Sequence, residues 1–128
     1  MNQKGFATLE VILMVVVIGI LATVAVPRFT SITTKANTAK IQSDLSTIDT
    51  AISIYYMEHG QYPAGLSNLS DYIRDVDKLA PPTGSAYING EEKKIDATAY
   101  LFKEETTGEK RAALDGHTAG DFYQPKRT

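Results

Sequence analysis

Residues 11–26 form an apolar run of 16 positions without a charge, interrupted only by Gly19 and Thr23. Taken from Phe6 the run is 21 residues, and as a helix rising ~1.5 Å per residue it matches a ~30 Å hydrocarbon core. After the polar stretch 30–40 a second pattern begins. Ile41, Leu45, Ile48, Ile52 and Tyr55 follow in steps of 4, 3, 4 and 3, which places them on one stripe of an amphipathic helix. Gln42, Ser43, Asp44, Thr47, Asp49 and Thr50 lie between them and are assigned to a solvated face. Pro27 cannot donate to the carbonyl of Thr23, and Gly19 and the β-branched Ile20, Thr23, Val24 and Val26 add little helix preference. The pattern predicts one helix from about Phe6 to about Glu58, with a soft section between Gly19 and Pro27. It is stopped at His59-Gly60 and followed by an extended Tyr62-Pro63.

Beyond residue 64 the periods shorten. Leu66, Leu69, Ile73 and Val76 are spaced for a short second helix that Pro81-Pro82 stops. Residues 86–88 and 94–96 flank Asn89-Gly90, a tight-turn dipeptide. Residues 98–102 make the best strand, and Thr107-Gly108 turns the chain into a partner at 110–114. Residues 116–128 are polar and read as a loosely held tail. No internal repeat or low-complexity tract is present.

Composition sharpens this division. Of 13 Lys/Arg and 15 Asp/Glu, only Lys4 and Glu10 precede residue 28. The remainder is slightly acidic, which argues against a dedicated nucleic-acid surface. The chain has no cysteine, which excludes a disulfide framework, a thiolate metal site and a Cys nucleophile. A soluble part this small gains from packing on a long helix. Glu10 is the anomaly, because an ionisable group in a membrane span costs a few kcal/mol and marks function. Two plain alternatives stay open: a cleaved secretory signal, with Thr23-Val24-Ala25 as its cleavage site, and a simple membrane anchor.

The residues Lys4-Gly5-Phe6-Ala7-Thr8-Leu9-Glu10, with Gly19, Pro27 and Gly60-Gln61-Tyr62-Pro63, resemble the N-terminal half of a type IV pilin or type II secretion pseudopilin. The last element is similar to that of the major pseudopilins. The resemblance implies a pilin-like α+β fold, a long N-terminal helix packed on a small antiparallel sheet. It divides the chain into a leader (1–5), a transmembrane or filament-core helix (6–27), an amphipathic helix (28–59) and a C-terminal α/β-loop and sheet region (60–128). It implies cleavage by prepilin peptidase between Gly5 and Phe6, N-methylation of Phe6, and assembly in which Glu10 pairs with the Phe6 amine of a neighbouring subunit. Gly19 and Pro27 correspond to the helix-softening positions. The implied partners are copies of itself and other pilins, the peptidase, a membrane platform protein, an assembly ATPase and the membrane. The implied location is the bacterial cytoplasmic membrane, with the C-terminal domain extracytoplasmic, and then a filament. The family's calcium-binding Asp-Pro-Trp-Gly stretch is absent, as is any tryptophan, so neither calcium nor another cofactor is assigned.

The remaining candidates read as structural. His59 and His117 are lone and far apart, and Asp71, Asp75 and Asp77 lack a calcium-loop spacing. Glu91-Glu92 and Glu104-Glu105 decorate turns and strand edges. Tyr55, Tyr56 and Tyr62 pack the sheet on the helix. Asn68-Leu69-Ser70 matches a glycosylation acceptor and receives little weight. With no catalytic motif, the reading is a non-enzymatic structural subunit. The alternative is a minor or tip subunit that binds DNA or a secreted substrate, for which only Lys110-Arg111 and Lys126-Arg127 hint at a basic strip.

Overall fold

The computed structural model describes residues 3–126, without the side chains of residues 24–30. The Pro27 part of the soft section, the first two leader residues and Arg127 therefore lie outside the described residues. Helix α1 runs Gln3–His59. It ends where the sequence stops it: Gly60 adopts φ +71°, and its N–H donates to the Tyr56 carbonyl at 2.8 Å. A left-handed residue after the last turn is the common glycine terminator.

The chain divides into two units, Met1–Thr33 and Thr34–Thr128. In the first, every residue from 3 to 23 is exposed, and Gln3–Thr23 is long and apolar enough to cross a membrane.

In the second unit the predicted stripe is the centre of the core. Ile41, Leu45, Ile48 and Ile52 are buried, and Tyr55 packs at its margin. Each such side chain contributes about 1.5–3 kcal/mol relative to exposure. The stripe is covered by Leu69, Ile73 and Val76 from the connecting segment and by Ala86, Ile88, Tyr100, Ala112, Leu114 and Phe122 from the C-terminal part.

The connecting segment corrects the expectation of a second α-helix. Leu69, Ile73 and Val76 point inward as their spacing requires, but the backbone forms two single-turn 3-10 segments, Leu66–Leu69 and Val76–Lys78. Asp75, between them, is left-handed at φ 53°, which breaks a regular helix.

The antiparallel structure takes the form of two hairpins. Strands β1 (Ser85–Ile88) and β2 (Glu91–Lys94) pair with Ile88 opposite Glu91. Asn89 and Gly90 supply the turn with φ 53° and 80°, the double positive φ of a two-residue hairpin. Strands β3 (Leu101–Glu104) and β4 (Lys110–Ala113) pair with Glu104 opposite Lys110, and Gly108 turns at φ 82°. β3 starts later than predicted: the chain bends at Ala99 and pairing begins only at Leu101, after the buried Tyr100.

The tail is also corrected. Phe122 is 0% exposed, and Ala119 is buried. The N–H of Asn89 donates to the Asp121 carbonyl at 2.7 Å. One large aromatic anchors this otherwise polar segment, since a buried ring removes ~150–250 Å² from water.

Candidate assembly surface on the N-terminal helix

Gly5, Phe6 and Glu10 all lie within α1. Phe6 and Glu10 are one helical repeat apart and share a face. Glu10 continues into Leu13, Met14, Val17 and Ile18, which with it line a shallow apolar groove along that face. Phe6 is 57% exposed, and Leu13, Met14, Val17 and Ile18 are likewise exposed. A contiguous apolar surface of this extent requires lipid or other protein. Glu10 makes no ion pair among the described residues. The hydroxyl of Thr8 donates to the Lys4 carbonyl at 2.9 Å, and that of Thr23 to Ile20 at 2.7 Å. Both hydroxyls thus spend their hydrogen on the helix itself, as polar side chains in an apolar environment must. Gly19 sits on the exposed surface with open space around its α-carbon.

The second unit is held together by polar residues of α1, among them Asp44 and Asp49, which the sequence pattern assigns to a solvated face, and Asn37 and Thr38 from the polar stretch before the stripe. Asn37 Nδ2 donates to the carbonyls of Thr83 (3.1 Å) and Ser85 (3.0 Å). Thr38 Oγ1 accepts the N–H of Tyr87 at 2.8 Å and donates to the Thr34 carbonyl at 2.7 Å. Asp49 Oδ1 accepts the N–H of Ala112 at 2.7 Å, while its Oδ2 accepts from Arg111 at 3.3 Å. Asp44 Oδ2 accepts the Tyr100 hydroxyl at 2.6 Å and the Lys40 ammonium at 2.6 Å. A polar residue beside an apolar stripe looks the same whether it meets water or the edge of a strand. A run of Asn, Thr and Asp with short, stiff side chains around a buried stripe is the available signal.

The other candidates fall into structural roles. His59 stacks on Tyr55 with centroids 4.1 Å apart and shares its Nδ1 with the Tyr55 carbonyl at 3.1 Å. His117 lies 3.4 Å from Asp121 and meets Phe122 edge-on. Tyr56 stacks on Tyr62, and Tyr55 meets Tyr72 edge-on. Tyr55 and Tyr62 pack against the core, whereas Tyr56 is more exposed. Asn68 Oδ1 accepts the Gly65 N–H at 3.1 Å, which ties the Asn-Leu-Ser motif into a turn. Lys110 Nζ reaches the Pro63 carbonyl at 3.5 Å. Among the described residues no group of three or more His, Asp or Glu is placed to hold a metal.

Two tyrosines carry the clearest electrostatic signature. Tyr100 is pushed well above the usual tyrosine range, first by burial and then by its hydrogen bond to Asp44. Tyr72 is pushed up to about 12, first by its hydrogen bond to Glu58 and then by burial. In each case the neutral phenol is the form the fold holds.

Comparison with known proteins points to one group. The chain is 34% identical over 86 residues to the type II secretion system core protein G of Klebsiella michiganensis, covering 67% of this chain and 59% of that protein. It is 28% identical over 96 residues to the protein of the same name from Escherichia coli K12, covering 75% and 66%. It is 30% identical over 84 residues to a fimbrial protein of Neisseria meningitidis serogroup A, covering 59% and 49%. The chain therefore spans about three fifths of the length of the first of these relatives. No family model matches, and no solved structure matches.

Proposed function

The chain belongs to the superfamily of type IV pilins and type II secretion pseudopilins, and on that premise we propose that it is a structural subunit of a secretion pseudopilus or a related pilus-like filament. The observation that carries the proposal is the wholly exposed apolar helix Gln3–Thr23 with a single carboxylate, Glu10, near its start. A helix of this kind serves first as a membrane anchor and then as the packing surface between subunits.

In this reading prepilin peptidase cuts between Gly5 and Phe6, and the new Phe6 amine is methylated. The cut removes the Lys4 carbonyl that the Thr8 hydroxyl holds, and it creates a cation four residues before Glu10. A carboxylate at hydrocarbon depth costs roughly 2.5–3.5 kcal/mol by insertion scales, and a cationic partner offsets that cost. A neighbouring subunit's Phe6 amine can supply the partner only at one axial stagger, so the pair sets register. Phe6, Ile12, Val16 and Leu21 supply the apolar packing. Softening between Gly19 and Pro27 allows closer helix packing during extraction from the membrane by the platform protein and assembly ATPase. The C-terminal unit then lies outside the cytoplasmic membrane.

The test is Glu10→Val in cells, with membrane insertion and sheared filaments scored together, and mass spectrometry of the mature N-terminus. The expected result is methylated Phe6 in the parent, unchanged insertion in the variant, and loss of filaments. Normal filament yield from the variant would overturn the pairing. The reading as a tip subunit that binds DNA or cargo gains no support, since Lys110 and Arg111 are already turned onto Pro63 and Asp49.

A further inference from the structure

The two hairpins have four outward strand edges, and they are not alike. In the first hairpin, Ile95 N–H donates to the Gly84 carbonyl at 2.8 Å. With Ile88 opposite Glu91, this fixes 84/95, 86/93 and 88/91 as the bonded pairs. The outward groups of β1 are thus those of Ser85 and Tyr87, and α1 holds the Ser85 carbonyl through Asn37 and the Tyr87 N–H through Thr38. In the second hairpin, Glu105 N–H donates to the Glu109 carbonyl at 2.8 Å. That makes 101/113 and 103/111 bonded pairs, and it turns Ala112 outward on β4, where Asp49 takes its N–H. The outward edge of β2 is a run of Glu and Lys, all exposed, a common protection against added strands.

The fourth edge, that of β3, has no hydrogen bond from α1 among the described residues, and charge covers only half of it: Lys103 and Glu104 are exposed, but Leu101 and Phe102 are apolar. The same parity turns the N–H and C=O of Phe102 and Glu104 away from β4. Neither residue's main chain has a partner outside its own hairpin among the described residues. A groove of about 560 Å³ adjoins this strand, lined by Leu101, Phe102 and Glu104 together with Lys110, Gly65 and Leu66. Leu101, at the start of the strand, is 67% exposed. The carboxylate of Glu104 also lines the groove and forms no ion pair among the described residues, because Lys110 opposite it reaches for Pro63 instead.

We infer that the β3 edge is a docking site for an extended polypeptide segment of a partner protein, added as an antiparallel strand beside β3 with its side chains reaching the groove that Gly65 and Leu66 also line. A row of main-chain donors and acceptors that only water occupies is a template for another strand. Charge selects the segment. A Lys or Arg is required opposite Glu104, and apolar residues opposite Phe102 and Leu101, since directly opposed side chains are the unit of sheet pairing. Antiparallel addition continues the direction already set by β4.

The probe is the peptide acetyl-Thr-Lys-Thr-Val-Ile-Thr-amide, titrated into the isotopically labelled full chain in detergent micelles while backbone amide shifts are followed. The expected result is saturable shifts centred on Phe102, Glu104, Gly65 and Leu66. N-methylation of the lysine and valine amides, which face β3, abolishes them. N-methylation of the second threonine and the isoleucine, which face away, leaves them. Glu104→Lys weakens the peptide about fivefold, the scale of an exposed charge pair, and favours the peptide with glutamate in place of lysine. The inference is overturned by absent shifts, or by shifts indifferent to the site of methylation. It is equally overturned by concentration-dependent shifts at the same amides without peptide, which would make a second copy the occupant.

Discussion

Asp49 and Ala112 are 63 residues apart, yet the Asp49 carboxylate accepts the Ala112 N–H at 2.7 Å. The bond joins the exposed-looking side of α1 to the outer edge of β4. A carboxylate that accepts a main-chain N–H makes one of the stronger hydrogen bonds available to a folded chain.

Asp49→Ala leaves that N–H without a partner and is expected to destabilise the second unit by about 1–3 kcal/mol. Arg111→Ala removes only a half-exposed ion pair, at 3.3 Å, and is expected to cost less than ~1 kcal/mol. Urea midpoints of the full chain in micelles, followed by near-ultraviolet circular dichroism, separate the two. Equal losses would show that the Ala112 bond is dispensable.

Tyr100 makes the fold sensitive to alkali. Its folded pKa is raised by burial and by Asp44, so its contribution is fully present below the unfolded value of about 10. The contribution is lost as pH rises above that value, because the unfolded chain releases the proton first. Tyr72, raised to about 12 through Glu58, acts in the same direction over the same window. Tyr100→Phe is expected to lower stability by about 1 kcal/mol at pH 7 and to flatten the fall between pH 10 and 11.5. Melting temperature against pH reads both effects, and an unchanged alkaline slope would count against Tyr100 as its source.

The two halves of α1 are expected to respond in opposite ways to the same truncation. Leu45 is fully buried, so Leu45→Ala costs about 2–5 kcal/mol in the second unit. Leu13 is 57% exposed, and Leu13→Ala changes that unit's denaturation midpoint by no measurable amount. Its effect is on filament yield, which is scored on the same two variants.

Gly84 adopts φ +109°, and a Cβ there would lie 3.3 Å from Asn37 Nδ2. Gly84→Ala therefore combines a backbone conformation that side chains resist, at roughly 1–2 kcal/mol, with pressure on the Asn37 bonds to Thr83 and Ser85. Gly65→Ala has open space and an extended backbone, and is expected to stay within about 0.5 kcal/mol. Thermal melts of the pair test this.

The helix was legible in the sequence because its signal is periodic and redundant: five stripe residues agree, and glycine marks the end. Residues 66–76 mark where periodicity stops being sufficient. Leu69, Ile73 and Val76 are buried as their spacing predicts, but successive 3-10 turns meet the same spacing as an α-helix, and only the left-handed Asp75 separates them. The tail's anchorage is hidden in a local reading because His117, Thr118, Asp121, Gln124, Lys126, Arg127 and Thr128 outweigh one Phe122, whereas burial of that single ring decides its placement. Asp44 and Asp49 are illegible for another reason: the Tyr100 hydroxyl and the Ala112 N–H that they hold lie more than fifty residues along the chain, and the Ala112 donor is backbone, which carries no sequence signature. At the N-terminus, Glu10 stood out because its setting is local, a lone charge in an apolar run.

The grip of α1 on the hairpins has a consequence for how this chain can vary. Asn37, Thr38 and Asp49 hold main-chain atoms of Thr83, Ser85, Tyr87 and Ala112. Proline at 87 or 112 would remove a donor, but these attachments ask nothing else of the side chains that the strands display. The outer face of the hairpins is thus free to drift toward new charges, new adhesive properties or escape from recognition, while the scaffold beneath keeps its hold.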